Sequence, residues 1–166
     1  MMAALAICLL RLIPADAAYR AVDLPVIVLI AALIPVGREF NAAGGSDAIA
    51  AALSSLLSGT PLFLTIFVLC GLTMLLSAFL NNVATAIVMS QVGIEAAAGL
   101  GIHPDAALIA VLIGFSCDFL TPIGHQNNML VMRPGGYRFS DYPKVGAPLS
   151  LIVVLATALV ISRTYG

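Results

Sequence analysis

Two apolar segments joined by a pair of asparagines constrain this chain more than any other feature. The first, Leu62–Leu80, ends at Asn81 and Asn82, and the second, Val83–Ala98, begins at once. No charged residue lies between them, so a water-exposed loop between two complete membrane spans is excluded. The pattern predicts a helical hairpin that enters a membrane and turns back at depth. Backbone outside a helix is tolerated there only if it is buried in protein or lines a cavity.

Composition identifies lipid as the solvent. The chain has 166 residues, of which 61% are hydrophobic and 9% charged, whereas a soluble domain is roughly 45–50% apolar and about 25% charged. A soluble fold of this size has too much surface for its volume to bury the excess. The net charge of −1 leaves no basic stripe for a nucleic acid partner. We therefore expect an all-α, multi-pass integral membrane protein of the plasma membrane or bacterial inner membrane, with the lipid bilayer as its partner. The three cysteines show no CxxC spacing and are expected to act as buried hydrophobic residues.

A second interruption, Thr121–Asn128, lies within the apolar segment 106–132. Short, interrupted hydrophobic segments are the best sequence pointer to the binding site of a transporter. A helix that begins just after Asn82 presents free N–H groups and a positive dipole, which suit a carboxylate or sulfate. Amide oxygens and the carbonyl oxygens at helix ends are suitable ligands for a small cation. The two breaks together therefore predict a site for an anion and a cation.

The segments form one expected membrane domain, 1–166. It contains a re-entrant hairpin at 62–98, a broken helix at 106–132 and a last transmembrane helix at 145–162. The apolar run at 1–13 lacks the basic start of a signal peptide, so it predicts a membrane helix.

Local signals predict where three of the shorter segments begin or end. The apolar segment Leu24–Val36 stops close to Pro35 and is followed by a polar patch. Ser46 or Asp47 is expected to cap a helix over 48–57. Pro104 and Asp105 are typical of the first turn of the next helix.

Basic residues orient the chain in the membrane. Loops 37–47 and 133–144 share one side and carry four basic residues, which are Arg38, Arg133, Arg138 and Lys144. The other side holds loop 14–23, the turn at 59–61, loop 99–105 and the tail, with only Arg20 and Arg163. The positive-inside rule places the first side in the cytoplasm. The hairpin then opens from the outside.

Both interruptions resemble motifs of one family. The run LNNVATA at 80–86, followed by TPIGHQNN at 121–128, resembles the divalent anion:sodium symporters, which are citrate-transporter-like permeases of the ion transporter superfamily. Members have two inverted repeats, each with a re-entrant hairpin and a broken helix. The resemblance implies that this chain is the second repeat. It also implies that the N-terminal repeat belongs to the same gene or to a partner chain, and that the complete protein is a homodimer.

The resemblance also carries site residues over to this chain. The family's hairpin tip reads Ser-Asn-Thr, of which only Asn82 is identical here, and Thr85 is the nearest hydroxyl downstream. The broken helix of the family often reads Pro-x-x-Thr-Pro-Pro-Asn, and here Pro122 and Asn128 match while His125, Gln126 and Asn127 replace Thr-Pro-Pro. These departures leave the substrate and the ion stoichiometry open. The expected substrate-binding residues are Asn81, Asn82, Thr121, Gly124, His125 and Asn128, and the expected Na⁺ ligands are Asn82, Thr85, Pro122 and Asn128.

Three residues keep alternative roles. Asp118 is a charge within a membrane segment, so it is either an ion-coupling group or one member of a structural ion pair. His125 is either a proton-linked group or a hydrogen-bonded spacer. Thr121 either donates to substrate or satisfies a carbonyl freed by the break.

The function expected from these features is secondary active transport of a small anion, such as a di- or tricarboxylate or sulfate, coupled to Na⁺ or H⁺ and with no other cofactor. One alternative is an arsenite-type transporter or a cation/proton antiporter of the same superfamily. Another is a membrane subunit or fragment without transport activity. An enzyme is not expected, because no HExxH or GxSxG motif accompanies Asp118 and His125.

Overall fold

A computed structural model describes residues 24–80, 82–117, 119–122, 126–132 and 134–166. All regular secondary structure in these ranges is helical, as the sequence predicts. In chain order the described helices are α1 (Leu24–Ala42), α2 (Gly45–Leu57), α3 (Leu62–Ser77), α4 (Asn82–Leu100), α5 (Pro104–Ser116), α6 (Gln126–Met132) and α7 (Asp141–Tyr165). The apolar run at 1–13 and the loop at 14–23 lie outside the described residues.

The start of α2 differs from the sequence prediction. Neither Ser46 nor Asp47 caps the helix, because α2 begins earlier, at Gly45, after Gly44 in the left-handed conformation with a φ of 78°. Glycine adopts this conformation without steric cost, so the chain turns within two residues of the end of α1. Ser46 therefore lies inside the first turn and is fully buried. Pro35 does not end α1 either, since that helix continues to Ala42.

The start of α5 is as predicted. Pro104 occupies the first turn, where its missing N–H is no loss. The Nδ1 atom of His103 accepts a hydrogen bond from the backbone N–H of Asp105 at 3.3 Å. The side chain before the proline therefore caps the helix.

The short helix α5 lies at the centre of the bundle, between α3 and α4. Helix α7 packs on α3, while α1 and α2 pack on α4. The buried face of α5 is made of small residues, including Ala106, Ala107 and Ala110, which allow close approach of helix backbones. A Cβ atom at Gly114 would lie 2.7 Å from the carbonyl oxygen of Cys70. Close packing of α5 on α3 therefore depends on this glycine.

The bundle has two distinct ends. At one end, the carboxyl ends of α3 and α5 meet the amino ends of α4 and α7, through contacts of Ser77 with Asn82 and Phe115 and of Gly146 with Phe119. We call this the junction end. At the opposite end, the rings of His103 and Tyr165 lie 5.3 Å apart, and Gly166 lies beside Leu62. The turn at 59–61, the loop at 101–103 and the tail are therefore together, on the same end of the molecule.

Two of the described helices, α4 and α7, are long and apolar enough to cross a membrane. Helices α2, α3 and α5 are apolar but shorter. Large hydrophobic side chains of α7 face outward, with Ile152 63% and Val160 61% exposed. An outward apolar face of this kind suits contact with lipid.

Candidate functional site

The structure describes five of the predicted site residues, namely Asn82, Thr85, Thr121, Pro122 and Asn128. Asn81, Asp118, Gly124 and His125 lie outside the described residues. The substrate and ion roles assigned to all nine stay predictions, but the described ones can be placed relative to the two helix interruptions.

Ser77 organises the tip of the hairpin. It is the last residue of α3 and is fully buried. Its Oγ atom lies 2.8 Å from the amide oxygen of Asn82, the first residue of α4. The same atom lies 3.2 Å from the carbonyl oxygen of Phe115, near the end of α5. A hydroxyl group has one hydrogen to donate, so Ser77 serves these two acceptors in turn and joins three helix ends.

Thr121 connects the second interruption to the hairpin tip. Its hydroxyl donates to the carbonyl oxygen of Ala78 at 2.9 Å, across 43 residues of sequence. Ala78 directly follows α3, so its carbonyl has no partner within that helix. The carbonyl that Thr121 satisfies belongs to the end of α3 and not to the break at 121–128, so both roles considered for Thr121 stay predictions.

Asn128 and Tyr142 continue the connection to α6 and α7. The Nδ2 atom of Asn128 donates to the carbonyl oxygen of Thr121 at 3.2 Å. The phenol of Tyr142, in the first turn of α7, donates to the carbonyl oxygen of Asn128 at 2.7 Å. We call Ser77, Asn82, Thr121, Asn128 and Tyr142 the junction, because their hydrogen bonds tie the hairpin tip and the second interruption to α5 and α7.

The α7 backbone also approaches the segment 119–120, just before the second interruption. A Cβ atom added at Gly146 would overlap the carbonyl oxygen of Phe119. Only glycine therefore allows α7 to approach the segment 119–120 this closely.

Thr85 is the most unusual polar group near the junction. It lies one turn after Asn82 on α4 and is fully buried. Its hydroxyl has no hydrogen-bond partner among the described residues. A buried hydroxyl without a partner costs about 1–3 kcal/mol. Such a group is a suitable ligand for a cation. Pro122, also buried, has only its carbonyl oxygen to offer.

A cavity of about 410 Å³ opens beside the junction, between α6 and the first half of α7. The polar residues in its lining are Asn127, Asn128, Tyr137, Asp141 and Tyr142. The rest of its lining is mainly apolar, with Phe119, Val131, Val145 and Leu149. This volume falls in the usual range for small-molecule sites.

Sequence reasoning did not select Ser77 or Tyr142 as functional residues. Ser77 directly precedes the predicted turn, and a hydroxyl at the last position of a helix is a weak signal that could have been used. Tyr142 binds a backbone carbonyl 14 residues away. No pattern of side chains predicts such a bond.

Comparison with known proteins identifies the kind of molecule to which this site belongs. A family model described as citrate transporter matches residues 1–166. An uncharacterized transporter of Synechocystis is 38% identical over 89% of this chain and 24% of its own length. An uncharacterized transporter of Escherichia coli is 31% identical over 98% of this chain and 27% of its own length.

A more distant relative has a named substrate. Sodium/sulfate cotransporter 1 of Chlamydomonas reinhardtii is 26% identical over 89% of this chain and 17% of its own length. The chain thus spans between 17% and 27% of the length of these three curated relatives.

Proposed function

Because this chain belongs to the citrate transporter family and is an integral membrane protein, we propose that it forms one half of a substrate site in a secondary active transporter. The complete transporter carries a small dianion or trianion, such as sulfate or a di- or tricarboxylate, together with Na⁺. It also contains the matching N-terminal repeat, in the same chain or in a partner, and works as a homodimer. Membership of a transporter family favours transport over catalysis.

The observation that carries this proposal is the junction itself. One hydrogen bond at 2.9 Å joins the hairpin tip to the second interruption. Ser77 lies 2.8 Å from Asn82 within the tip and 3.2 Å from the carbonyl oxygen of Phe115 near the end of α5. The amino end of α4 and the carboxyl ends of α3 and α5 therefore meet at one place. A helix amino end attracts an anion and helix carboxyl ends attract a cation, so one place can serve both ions.

Helix lengths support a position of the junction within the membrane. Helix α3 has 16 residues and α5 has 13, which at 1.5 Å per residue correspond to about 24 and 20 Å. The hydrocarbon core of a bilayer is about 30 Å thick. Both helices begin at the opposite end of the bundle. With that end at one membrane surface, the carboxyl ends of α3 and α5 would lie inside the core, as in a re-entrant hairpin, whereas α4, with 19 residues or about 29 Å, is long enough to span it.

Thr85 and Asn82 are the proposed Na⁺ ligands on this chain. The Thr85 hydroxyl is buried and has no partner among the described residues, and Asn82 stands one turn away at the amino end of α4. Hydroxyl, amide and backbone carbonyl oxygens, including that of Pro122, are neutral hard ligands that suit a small cation.

The preference for Na⁺ over H⁺ as the coupling ion draws on the relatives. Two of them are named sodium/sulfate cotransporters, which favours symport of an anion over the antiporter alternative. Asn81, Gly124, His125 and Asn128 complete the proposed anion site, and Asp118 is the proposed ion-coupling group.

Uptake into proteoliposomes that contain the complete transporter tests the proposal. Labelled sulfate, succinate and citrate are supplied under an inward Na⁺ gradient, and separately under an inward H⁺ gradient with K⁺ in place of Na⁺. We expect accumulation of one of these anions that depends on Na⁺. Transport that is indifferent to both gradients would contradict the proposal.

Two variants test the site rather than the family. Asn82→Ala and Asn128→Ala remove the predicted amide ligands and are expected to lower uptake at least tenfold, which corresponds to about 1.4 kcal/mol. Gln91→Ala is the matched control, because Gln91 is an exposed amide side chain on the same helix as Asn82. Equal uptake by all three variants would show that neither amide is a ligand for the transported ions.

A further inference from the structure

We propose that Tyr142 is a positioning residue for the transport site, which acts by holding α6 and the residues after the second interruption against α7. The inference rests on the proposed function, since the geometry it preserves is that of Asn128 and Thr121. Tyr142 itself need not touch either ion.

The contact is well formed for a hydrogen bond of this type. The phenol oxygen of Tyr142 lies 2.7 Å from the carbonyl oxygen of Asn128, which is the usual O–H···O distance. A carbonyl oxygen has two lone pairs, so it can accept the phenol in addition to a helix N–H. Tyr142 is only half-buried, so the ring needs the hydroxyl contact to be held in one place.

The segment that this bond holds is weak by itself. Helix α6 has seven residues, and isolated helices shorter than about 12 residues are marginal in water because nucleation is unfavourable. The same asparagine donates through Nδ2 to the carbonyl oxygen of Thr121 at 3.2 Å. Movement of Asn128 would therefore be transmitted to Thr121, and from there to Ala78 at the hairpin tip, 2.9 Å away.

Helix α7 contacts both sides of the second interruption from one face. Residues four apart in a helix lie on the same face. Tyr142 binds the residues after the interruption, at Asn128, and Gly146 packs on the residues before it, at Phe119. Helix α7 thus holds Phe119 and Asn128 in fixed positions relative to each other.

The support for Tyr142 is itself fixed. Asp141 accepts a hydrogen bond from the backbone N–H of Arg138 at 2.9 Å, and its other oxygen lies 3.1 Å from Nζ of Lys144. These contacts close the turn that leads into α7. Tyr142 therefore projects from an ordered first turn.

Tyr137 offers a matched control. Its ring meets that of Tyr142 edge-on, with centroids 6.4 Å apart, and it lines the same cavity. Tyr137 is 52% exposed, and no hydrogen bond joins its hydroxyl to another of the described residues. Tyr137→Phe therefore removes a hydroxyl from the same cavity without breaking a hydrogen bond to the junction.

The test compares Tyr142→Phe with Tyr137→Phe in the complete transporter. The measured quantities are the KM for the transported anion, the Na⁺ concentration for half-maximal uptake, the melting temperature, and hydrogen exchange in residues 126–132. A net hydrogen bond contributes about 0.5–1.5 kcal/mol, so we expect Tyr142→Phe to raise KM or the Na⁺ requirement about 3- to 10-fold. Exchange in 126–132 should quicken by a similar factor, while Tyr137→Phe leaves all values within about twofold of the unmodified protein.

The outcomes separate the two proposals. Unmodified transporter that moves none of the anions overturns the proposed function. Normal transport by Tyr142→Phe overturns only the positioning role, whether or not exchange in α6 has changed. A lower melting temperature and lower maximal rate at unchanged KM and Na⁺ requirement would also overturn it, because that pattern describes a purely structural residue.

Discussion

The two ends of the helical bundle satisfy their polar groups in different ways. At the opposite end, the hydrogen bonds are local, with His103 bound to Asp105 and the Thr60 hydroxyl bound to the carbonyl oxygen of Leu57. At the junction end, Ser77 and Thr121 reach acceptors 38 and 43 residues away in sequence.

This difference shows what each end is built for. A local cap stabilises one helix end and leaves neighbouring helices free of one another. Hydrogen bonds between distant segments hold several helix ends in one arrangement, and they are most valuable where water cannot replace them. The proposed ion site lies at the junction end, where the hydrogen bonds link distant segments, and the opposite end resembles an ordinary exposed rim.

The largest expected effect concerns backbone approach at the junction. Gly146→Ala places a Cβ against the carbonyl oxygen of Phe119. Because the atom that must shift belongs to the backbone, we expect a cost of about 3 kcal/mol or more, at the upper end for overpacking. We expect a clear fall in melting temperature and loss of transport. Gly71→Ala is the control, because nothing lies within 4 Å of a Cβ at that position. If Gly71→Ala lowered the melting temperature and transport as much as Gly146→Ala, the close contact of α7 with segment 119–120 would not be the cause.

A smaller effect compares one threonine from each end. Thr121→Val removes the hydroxyl donor to Ala78 and leaves a carbonyl unpaired at the junction, for an expected loss of about 1–3 kcal/mol. Thr164→Val removes a local, exposed hydrogen bond to the carbonyl oxygen of Val160 at the opposite end, where water can replace it, for an expected loss of about 0.5 kcal/mol. Thermal melting of the two variants measures the difference. If Thr164→Val proved as costly as Thr121→Val, the contrast between the ends would not hold.

The smallest expected effect on stability comes from Thr85→Val, which tests the proposed Na⁺ site directly. Thr85→Val replaces a buried hydroxyl that has no partner among the described residues with an apolar group of the same shape. Because no hydrogen bond to a described residue is lost, the melting temperature without Na⁺ should stay the same or rise slightly. With Na⁺ present, the variant should gain less thermal stability than the unmodified protein, since a ligand has been removed. Thr85→Ser keeps the hydroxyl and should retain the Na⁺ response. A full Na⁺ response in Thr85→Val would exclude Thr85 as a ligand.

Sequence alone could predict the features that have strong local signals. Composition predicts an all-α membrane protein, and Pro104 predicts the start of α5. The prediction that Ser46 or Asp47 caps α2 was wrong, because the left-handed conformation of Gly44 lets the helix begin before both residues. The hydrogen bonds of the junction could not be predicted from sequence. They run to the backbone carbonyls of Ala78 and Asn128, and because every residue has a carbonyl, no side-chain pattern indicates which one accepts.

The most direct test of the central claim is hydrogen exchange of the complete transporter with and without its ions. Residues 79–85 and 119–122 represent the junction end, and residues 101–105 represent the opposite end. If the junction binds Na⁺ and the anion, both ligands together should slow exchange at 79–85 and 119–122 and leave 101–105 unchanged. Unchanged exchange at the junction, or equal slowing at both ends, would contradict the account.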